Sequence, residues 1–175
     1  VTRSEAKPPV WSAQPDREIT ISMVPAKMAY DTTLLRVRPG EKIKLNLKNP
    51  DDLEHNLVLI KNDPNDPRGE RFAAQCIELG PRGPKLAWTP DSQRVLARSG
   101  MIGPKKESEM FFEAPKEPGD YLYLCTFPGH SNLMRGILKV GSIDPIFSEL
   151  SYKVYAGEFR KIPDFNKLTP IKTGK

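Results

Sequence analysis

Long apolar runs are missing from this sequence. No stretch approaches the roughly 20 consecutive apolar residues that a membrane-crossing helix needs, which excludes a membrane span in the 175 residues given. Low-complexity tracts are missing as well. The net charge is +5, but lysine and arginine are scattered among acids and form no dense basic block. With no RNP-like aromatic motif, no helix-turn-helix pattern and no zinc-finger spacing, nucleic-acid binding is set aside. A basic surface could instead steer an acidic protein partner. The chain opens at Val1 without an initiator methionine or a basic-then-apolar leader, the expectation being a processed protein or a module of a larger one. Cysteine and histidine are scarce, with two of each.

What is present favours an all-β architecture. With 38% apolar residues, the length allows one main domain with a core, plus some tail. Eighteen prolines and twelve glycines are spread along the chain, which implies many turns between short strands. Residues 1–17 carry three prolines and no clear period, so they read as an arm or linker. From Glu18 onward, Ile19, Ile21 and Met23 alternate with polar residues, and Tyr30 to Arg38 continues as a second extended stretch. After the Pro39-Gly40 break, Ile43, Leu45 and Leu47 alternate with Lys44, Asn46 and Lys48, the clearest strand of all.

Asn49-Pro50-Asp51-Asp52 is a turn, and the run His55-Asn56-Leu57-Val58-Leu59-Ile60, with His55 at its entry, is short and apolar enough for a buried sandwich strand. Glu70 to Leu79 is the one plausible helix, ended by Gly80-Pro81. Val95 to Ala97, Ser108 to Ala114, Tyr121 to Thr126 and Arg135 to Val140 complete seven or eight strands. That layout is a Greek-key β-sandwich with one short helical insertion. The pattern changes at Ser142-Ile143-Asp144-Pro145, so the expected division is an arm over 1–17, a domain over 18–141 and an extension over 142–175. Within the extension, Tyr155-Ala156-Gly157-Glu158-Phe159 followed by Ile162-Pro163-Asp164-Phe165 resembles the opening of a PA14-type β-domain.

The segment that carries chemistry runs from Cys125 to Met134. It puts a thiolate (Cys125), an imidazole (His130) and a thioether (Met134) on one loop between two strands, with Pro128-Gly129 turning the chain between them. A fourth group has to come from elsewhere, and His55 is the only other histidine. Two imidazoles, a thiolate and a weak axial thioether suit copper cycling between Cu(I) and Cu(II), because the sulfur donors favour Cu(I) and imidazole serves both states. Taken singly, each residue also has a structural explanation: a packed methionine, an inert cysteine, a satisfied histidine. Zinc could also occupy a site with one cysteine and two histidines. If Cys125 holds a metal, Cys76 has no partner within the chain; it reads as a small buried hydrophobe on the helix, with an intermolecular disulfide as the alternative.

The loop, together with His55-Asn56, resembles the copper site of the cupredoxins, in particular the azurin and auracyanin branch. The resemblance extends over about residues 18–141, through Asp91-Ser92 to Ala97, the Ile102-Gly103 turn, Phe112 before Pro118-Gly119, and Met134-Arg135-Gly136. It implies one type 1 blue copper per chain, held by His55, Cys125, His130 and Met134. It further implies that the carbonyl of Glu54 lies near the metal, that Asn56 braces the ligand loop, and that the Phe127 N–H donates to the Cys125 sulfur. The family usually carries glycine where Glu54 stands, which weighs against a close carbonyl approach.

The function implied is one-electron transfer in an extracytoplasmic setting such as the periplasm. The edge of the His130 ring would reach the surface through an apolar patch drawn from Pro128, Leu133, Leu53 and Met101, where a c-type cytochrome or another redox protein docks briefly. Two readings compete. A copper domain feeding a catalytic site would need further histidines from another domain or chain. A copper carrier would favour an exposed, methionine-rich site, and only five methionines are present. A Cys-His hydrolase lacks an evident third orienting group.

Overall fold

Strand β4 (Lys42–Asn49) is built by the alternation seen in its sequence, with Ile43, Leu45, Leu47 and Asn49 buried and the residues between them facing outward. In the computed structural model, which describes residues 8–142 and 151–174, the chain divides into two units, Val1–Ser142 and Ile143–Lys175. The first unit is a sandwich of two sheets. One has the order β2-β1-β4-β7, from β1 (Arg17–Val24), β2 (Ala29–Tyr30), β4 and β7 (Lys106–Glu113). The other has the order β3-β9-β8-β5-β6, from β3 (Leu34–Val37), β5 (Val58–Ile60), β6 (Val95–Arg98), β8 (Gly119–Leu124) and β9 (Arg135–Val140). Strand β1 runs parallel to β4 and β3 parallel to β9, while the other pairs are antiparallel. This is the all-β Greek-key sandwich with, among the described residues, a single short α-helix, α1 (Glu70–Ile77).

Two details differ from the sequence reading. The unit has nine strands among the described residues, because the stretch from Tyr30 to Arg38 is two strands on different sheets. The chain crosses between layers at Asp31–Thr33, where the Asp31 carboxylate accepts from the Ser22 N–H and the Thr32 carbonyl from the Tyr123 hydroxyl. These polar contacts end the pairing with β1 before β3 can begin. Ahead of β1, Val10–Ala13 form a short 3-10 turn, and the Trp11 ring packs edge-on to Phe111 at 6.2 Å.

The main core lies between the sheets and includes Ile21, Met23, Ile43, Leu45, Leu47, Leu57, Leu59, Tyr123 and Leu138. A second, smaller core lies where Phe72, Ala73 and Cys76 of α1 meet Val58, Ile60, Leu122 and Leu124. Strand β5 is therefore buried on both faces, which is why its sequence is continuously apolar rather than alternating. Burial pushes the Cys76 thiol up to about 12. The helix start is held by Asp66, whose carboxylate accepts from the N–H groups of Arg71 and Phe72 and pairs with Arg94 at 2.6 Å. Charged residues face outward along β7, where Glu109 pairs with Lys44 and Glu107 with Lys48.

In the second unit, β10 (Tyr152–Val154) and β11 (Lys172–Gly174) pair antiparallel, and the rings of Tyr155 and Phe165 pack at 5.1 Å. The boundary residues Ile143-Asp144-Pro145 and the first seven residues of the arm lie outside the described residues. No helix among the described residues is long and apolar enough to cross a membrane.

Two outcomes test this packing. Gly136 on β9 faces Tyr123 on β8, and a Cβ there would come within 2.2 Å of the tyrosine ring, so Gly136→Ala should cost about 1–3 kcal/mol in denaturant unfolding. Gly141→Ala, which meets open space, should be close to neutral. Cys76 should resist iodoacetamide at pH 8 in the folded protein and react in denaturant. The raised thiol favours the fold below the ordinary cysteine value near 8.5, and that contribution fades as pH climbs above it.

Candidate metal centre

The last pairs of β8 and β9 set the frame of the site. Beyond the Leu124–Arg135 pair, the Cys125 N–H donates to the Met134 carbonyl at 2.9 Å, closing a ten-residue loop and putting Cys125 beside Met134. Inside the loop, the His130 N–H donates to the Phe127 carbonyl at 3.0 Å across Pro128-Gly129. Gly129 sits at φ +86°, the left-handed position of a turn led by proline, which a side chain would strain. The Leu133 and Met134 N–H groups both donate to the His130 carbonyl, and this returns the chain to Cys125. Arg135 adds an outer clasp: its guanidinium donates to the Ser131 carbonyl and, at 2.8 Å, to that of Arg68 just before α1.

His55 reaches the same place from the other side of the sequence. It forms an isolated bridge with Ile102, donating to the Ile102 carbonyl at 3.2 Å and accepting from its N–H at 2.7 Å. The buried Asn49 supports that bridge, since its amide donates to the carbonyls of Leu53, Ile102 and Gly103. His55 and Cys125 are 0% exposed, Met134 is 0% and His130 5%. His55 Nδ1 lies 3.2 Å from His130 Nδ1 and 4.0 Å from Cys125 Sγ, and His130 Nδ1 lies 3.6 Å from the same sulfur.

Those separations are close to the ones a single ion requires. Metal–nitrogen bonds of about 2.0 Å and a metal–sulfur bond of about 2.3 Å, at tetrahedral to trigonal angles, place the nitrogens about 3.3–3.5 Å apart and each about 3.5–3.7 Å from the sulfur, so that only the 4.0 Å from His55 Nδ1 to Cys125 Sγ is clearly longer. Three buried groups whose donor atoms all lie within 4.8 Å of one another form a metal-ready cluster. The electrostatics agree. Burial pushes the Cys125 thiol up to about 11, while the backbone N–H groups of Asn56 and Phe127 pull it back. Burial also lowers His130, as does neighbouring His55, against an opposing pull from Asp51. Such a cavity favours a neutral imidazole, whose lone pair is available to a metal, and a thiol that gives up its proton when a cation arrives.

Asn56 ties the two halves of the site together. Its side chain accepts from the Thr126 N–H at 2.8 Å and donates to the Thr126 hydroxyl at 2.7 Å and the Ala87 carbonyl at 2.8 Å, while its own carbonyl accepts from the buried Tyr30 hydroxyl at 2.6 Å. The Glu54 side chain is exposed, and among the described residues its carbonyl accepts no hydrogen bond. Phe127 packs between Trp88 and His130, with ring centroids at 6.1 and 4.8 Å. Leu133 and Leu53 are exposed at 65% and 48%, and Pro128 and Met101 are partly exposed.

The sequence reading did not single out Tyr30, Thr126 or Arg135, and it saw Asp51 only as part of a turn. Asp51 Oδ2 lies 3.1 Å from His55 Nε2, and the carboxylate is 5% exposed. Burial pushes that carboxyl up, but the N–H groups of Asp52 and Ala26 and the His55 ring hold it below the usual carboxylate range. The available signal was an acid four residues ahead of a ligand-type histidine.

Comparison with known proteins bears on this geometry directly. A family model described as copper binding proteins, plastocyanin/azurin family, matches residues 17–141. The chain belongs to that family. Among its relatives, Auracyanin-A of Chloroflexus aurantiacus is 35% identical over 117 residues, spanning 65% of this chain and 68% of the relative. Azurin of Pseudomonas aeruginosa is 43% identical over 118 residues, 64% of this chain and 77% of the relative. Auracyanin-B is 29% identical over 136 residues, and the matched part spans 55% of its length. Of solved structures, auracyanin A, titled a "blue" copper protein, superposes with a TM-score of 0.64 at 30% identity, covering 71% of this chain and 98% of its own. This cupredoxin takes copper as its cofactor, and its role is blue copper electron transfer.

The braces around the site carry a measurable load. Asn56→Ala removes three side-chain hydrogen bonds in a buried setting and should cost the metal-free protein about 3 kcal/mol, read as a fall in thermal midpoint of about 6–12 °C. An unchanged midpoint would show that Asn56 does not hold the two segments together.

Proposed function

We propose that His55 and His130 through Nδ1, Cys125 through Sγ and Met134 through its thioether hold the copper of this cupredoxin. The observation that carries this is the convergence of three buried donors, drawn from two segments 70 residues apart, within 4.8 Å of one another. Bound copper supplies a Cu(II)/Cu(I) couple. The protein's part is to keep the donors where they are in both states: Asn56 fixes Thr126 next to Cys125, the Asn56 and Phe127 N–H groups point at the sulfur, and Pro128-Gly129 returns His130 to it. A frame set by backbone hydrogen bonds and a packed core has little freedom to rearrange between electrons. We take the Glu54 carbonyl as a weak further neighbour of the ion.

Electrons leave, in this reading, through His130. It is the more exposed of the two rings, and Leu133, Leu53, Pro128 and Met101 are the apolar residues we assign to the surface around it. A small apolar contact suits a brief encounter, so the partner we propose is a c-type cytochrome or another copper protein. We read the chain as a carrier rather than an enzyme, working outside the cytoplasm in a periplasmic type of setting. We also propose that residues 1–17 are an arm, 18–141 the copper domain, and 142–175 the start of a further β-domain of a larger protein. The antiparallel pairing of β10 with β11 supports a β-rich extension.

Loading the protein with Cu(II) should give one copper per chain and an intense blue colour, and Cys125→Ser should abolish the colour while leaving the fold by circular dichroism. A colourless loaded wild type would overturn the ligand assignment. His130→Gly should remain foldable and exchange electrons more slowly with a cytochrome than the parent; an equal rate would refute His130 as the exit.

A further inference from the structure

The two histidines are held in different ways, and the difference lies at Asp51. His55 turns Nδ1 toward Cys125 and His130 and turns Nε2 toward the Asp51 carboxylate, at 3.1 Å. A neutral imidazole has one N–H, and an ionised carboxylate can only accept. The contact therefore places the His55 proton on Nε2 and leaves the Nδ1 lone pair free for the site. The carboxylate is itself fixed: its other oxygen accepts from the Asp52 N–H at 2.8 Å and the Ala26 N–H at 3.3 Å, and its backbone N–H donates to Asn49 Oδ1 at 3.0 Å. Among the described residues, no lysine or arginine pairs with it. Lys48, the nearest in sequence, pairs with Glu107, and Lys105 pairs with the exposed Asp52 and donates to the Pro50 carbonyl. The negative charge of Asp51 thus acts on the His55 ring without a cation to cancel it. His130 has no such carboxylate among the described residues; its ring rests on Phe127.

We propose that Asp51 is a positioning residue that fixes the tautomer of His55 and, by making its Nδ1 a stronger donor, biases the site toward Cu(II) and so lowers its reduction potential. The inference rests on His55 being a copper ligand, as argued above. A carboxylate on the far nitrogen of a ligand histidine orients the ring and raises its basicity, and loss of such a partner typically changes metal affinity by about 10–100-fold. The gain falls mainly on the more charged cupric state, because the interaction is electrostatic and both His55 and Asp51 are shielded from water.

The first measurement needs no metal. In metal-free, 15N-labelled protein, the His55 ring should be the Nε2–H tautomer, identified by its ring nitrogen shifts and couplings; an Nδ1–H tautomer would overturn the proposal. The second uses copper-loaded protein and redox titration. Asp51→Asn keeps an acceptor oxygen but drops the charge, and it should retain the blue colour while the Cu(II)-to-Cu(I) affinity ratio falls about tenfold, a rise of about 59 mV for one electron. Asp52→Asn, at a side chain 88% exposed, is the control for bulk charge and should move the potential much less. Equal shifts in the two variants, or none in Asp51→Asn, would sink the idea. A wild type that stays colourless would instead count against the ligand assignment, while the tautomer measurement would still decide whether Asp51 governs His55.

Discussion

The site depends on one constraint, the tie between Asn56 and Thr126. These residues follow His55 and Cys125 directly, and they lie 70 positions apart in sequence. Two hydrogen bonds between them, both buried, fix the distance between the two backbone segments that carry the donors. Backbone pairing alone could not do this, because β5 and β8 pair only from Val58 and Leu124 inward and the donors lie beyond the last rung. Ala87 and Tyr30 complete the arrangement by occupying the remaining Asn56 groups. Ligand geometry is thus set by amide and hydroxyl contacts within the protein itself, which is the physical meaning of preorganisation in this fold.

Around that tie, the sandwich divides its labour. The space between the sheets supplies the large core, and the outer face of the five-stranded sheet is covered by α1, so the strands that end just before Cys125 and begin just after Met134 are anchored from two directions. The ligand loop is short and closed at its root by the Cys125–Met134 hydrogen bond, with Arg135 reaching across to Arg68. The result is a buried site just beyond the ends of β5 and β8, while the residues assigned to the outer surface lie on loops.

Much of this was legible in the sequence. The period of two in β1 and β4, the continuous apolar run of β5 and the limits of β9 follow from which faces are buried, and burial is what hydrophobic pattern encodes. The spacing from Cys125 to Met134 named the loop, and the uniqueness of His55 named its distant partner. Less legible were features fixed by tertiary polar contacts. The break at Asp31–Thr33 depends on partners in β1 and β8, so a continuous extended stretch is a reasonable local reading that long-range hydrogen bonds override. Asp51 looks like a turn residue because it is one; that its second oxygen meets His55 follows from the fold of the Asn49 turn. The roles of Tyr30 and Thr126 are equally invisible to local pattern, since each acts through Asn56, far away in the chain: Tyr30 on its carbonyl and Thr126 on its side chain.

The edges of the two sheets have a consequence for how such a molecule behaves among its own kind. Strand β2 is two residues long and β3 and β6 four each, too short to template much pairing, whereas β7 is an eight-residue border with unpaired backbone on one side. That border carries Lys106, Glu107, Glu109 and Glu113, all exposed. Any neighbour attempting to extend the sheet there would have to strip water from those charges. The charged border thus disfavours sheet extension from one copy of the molecule to the next.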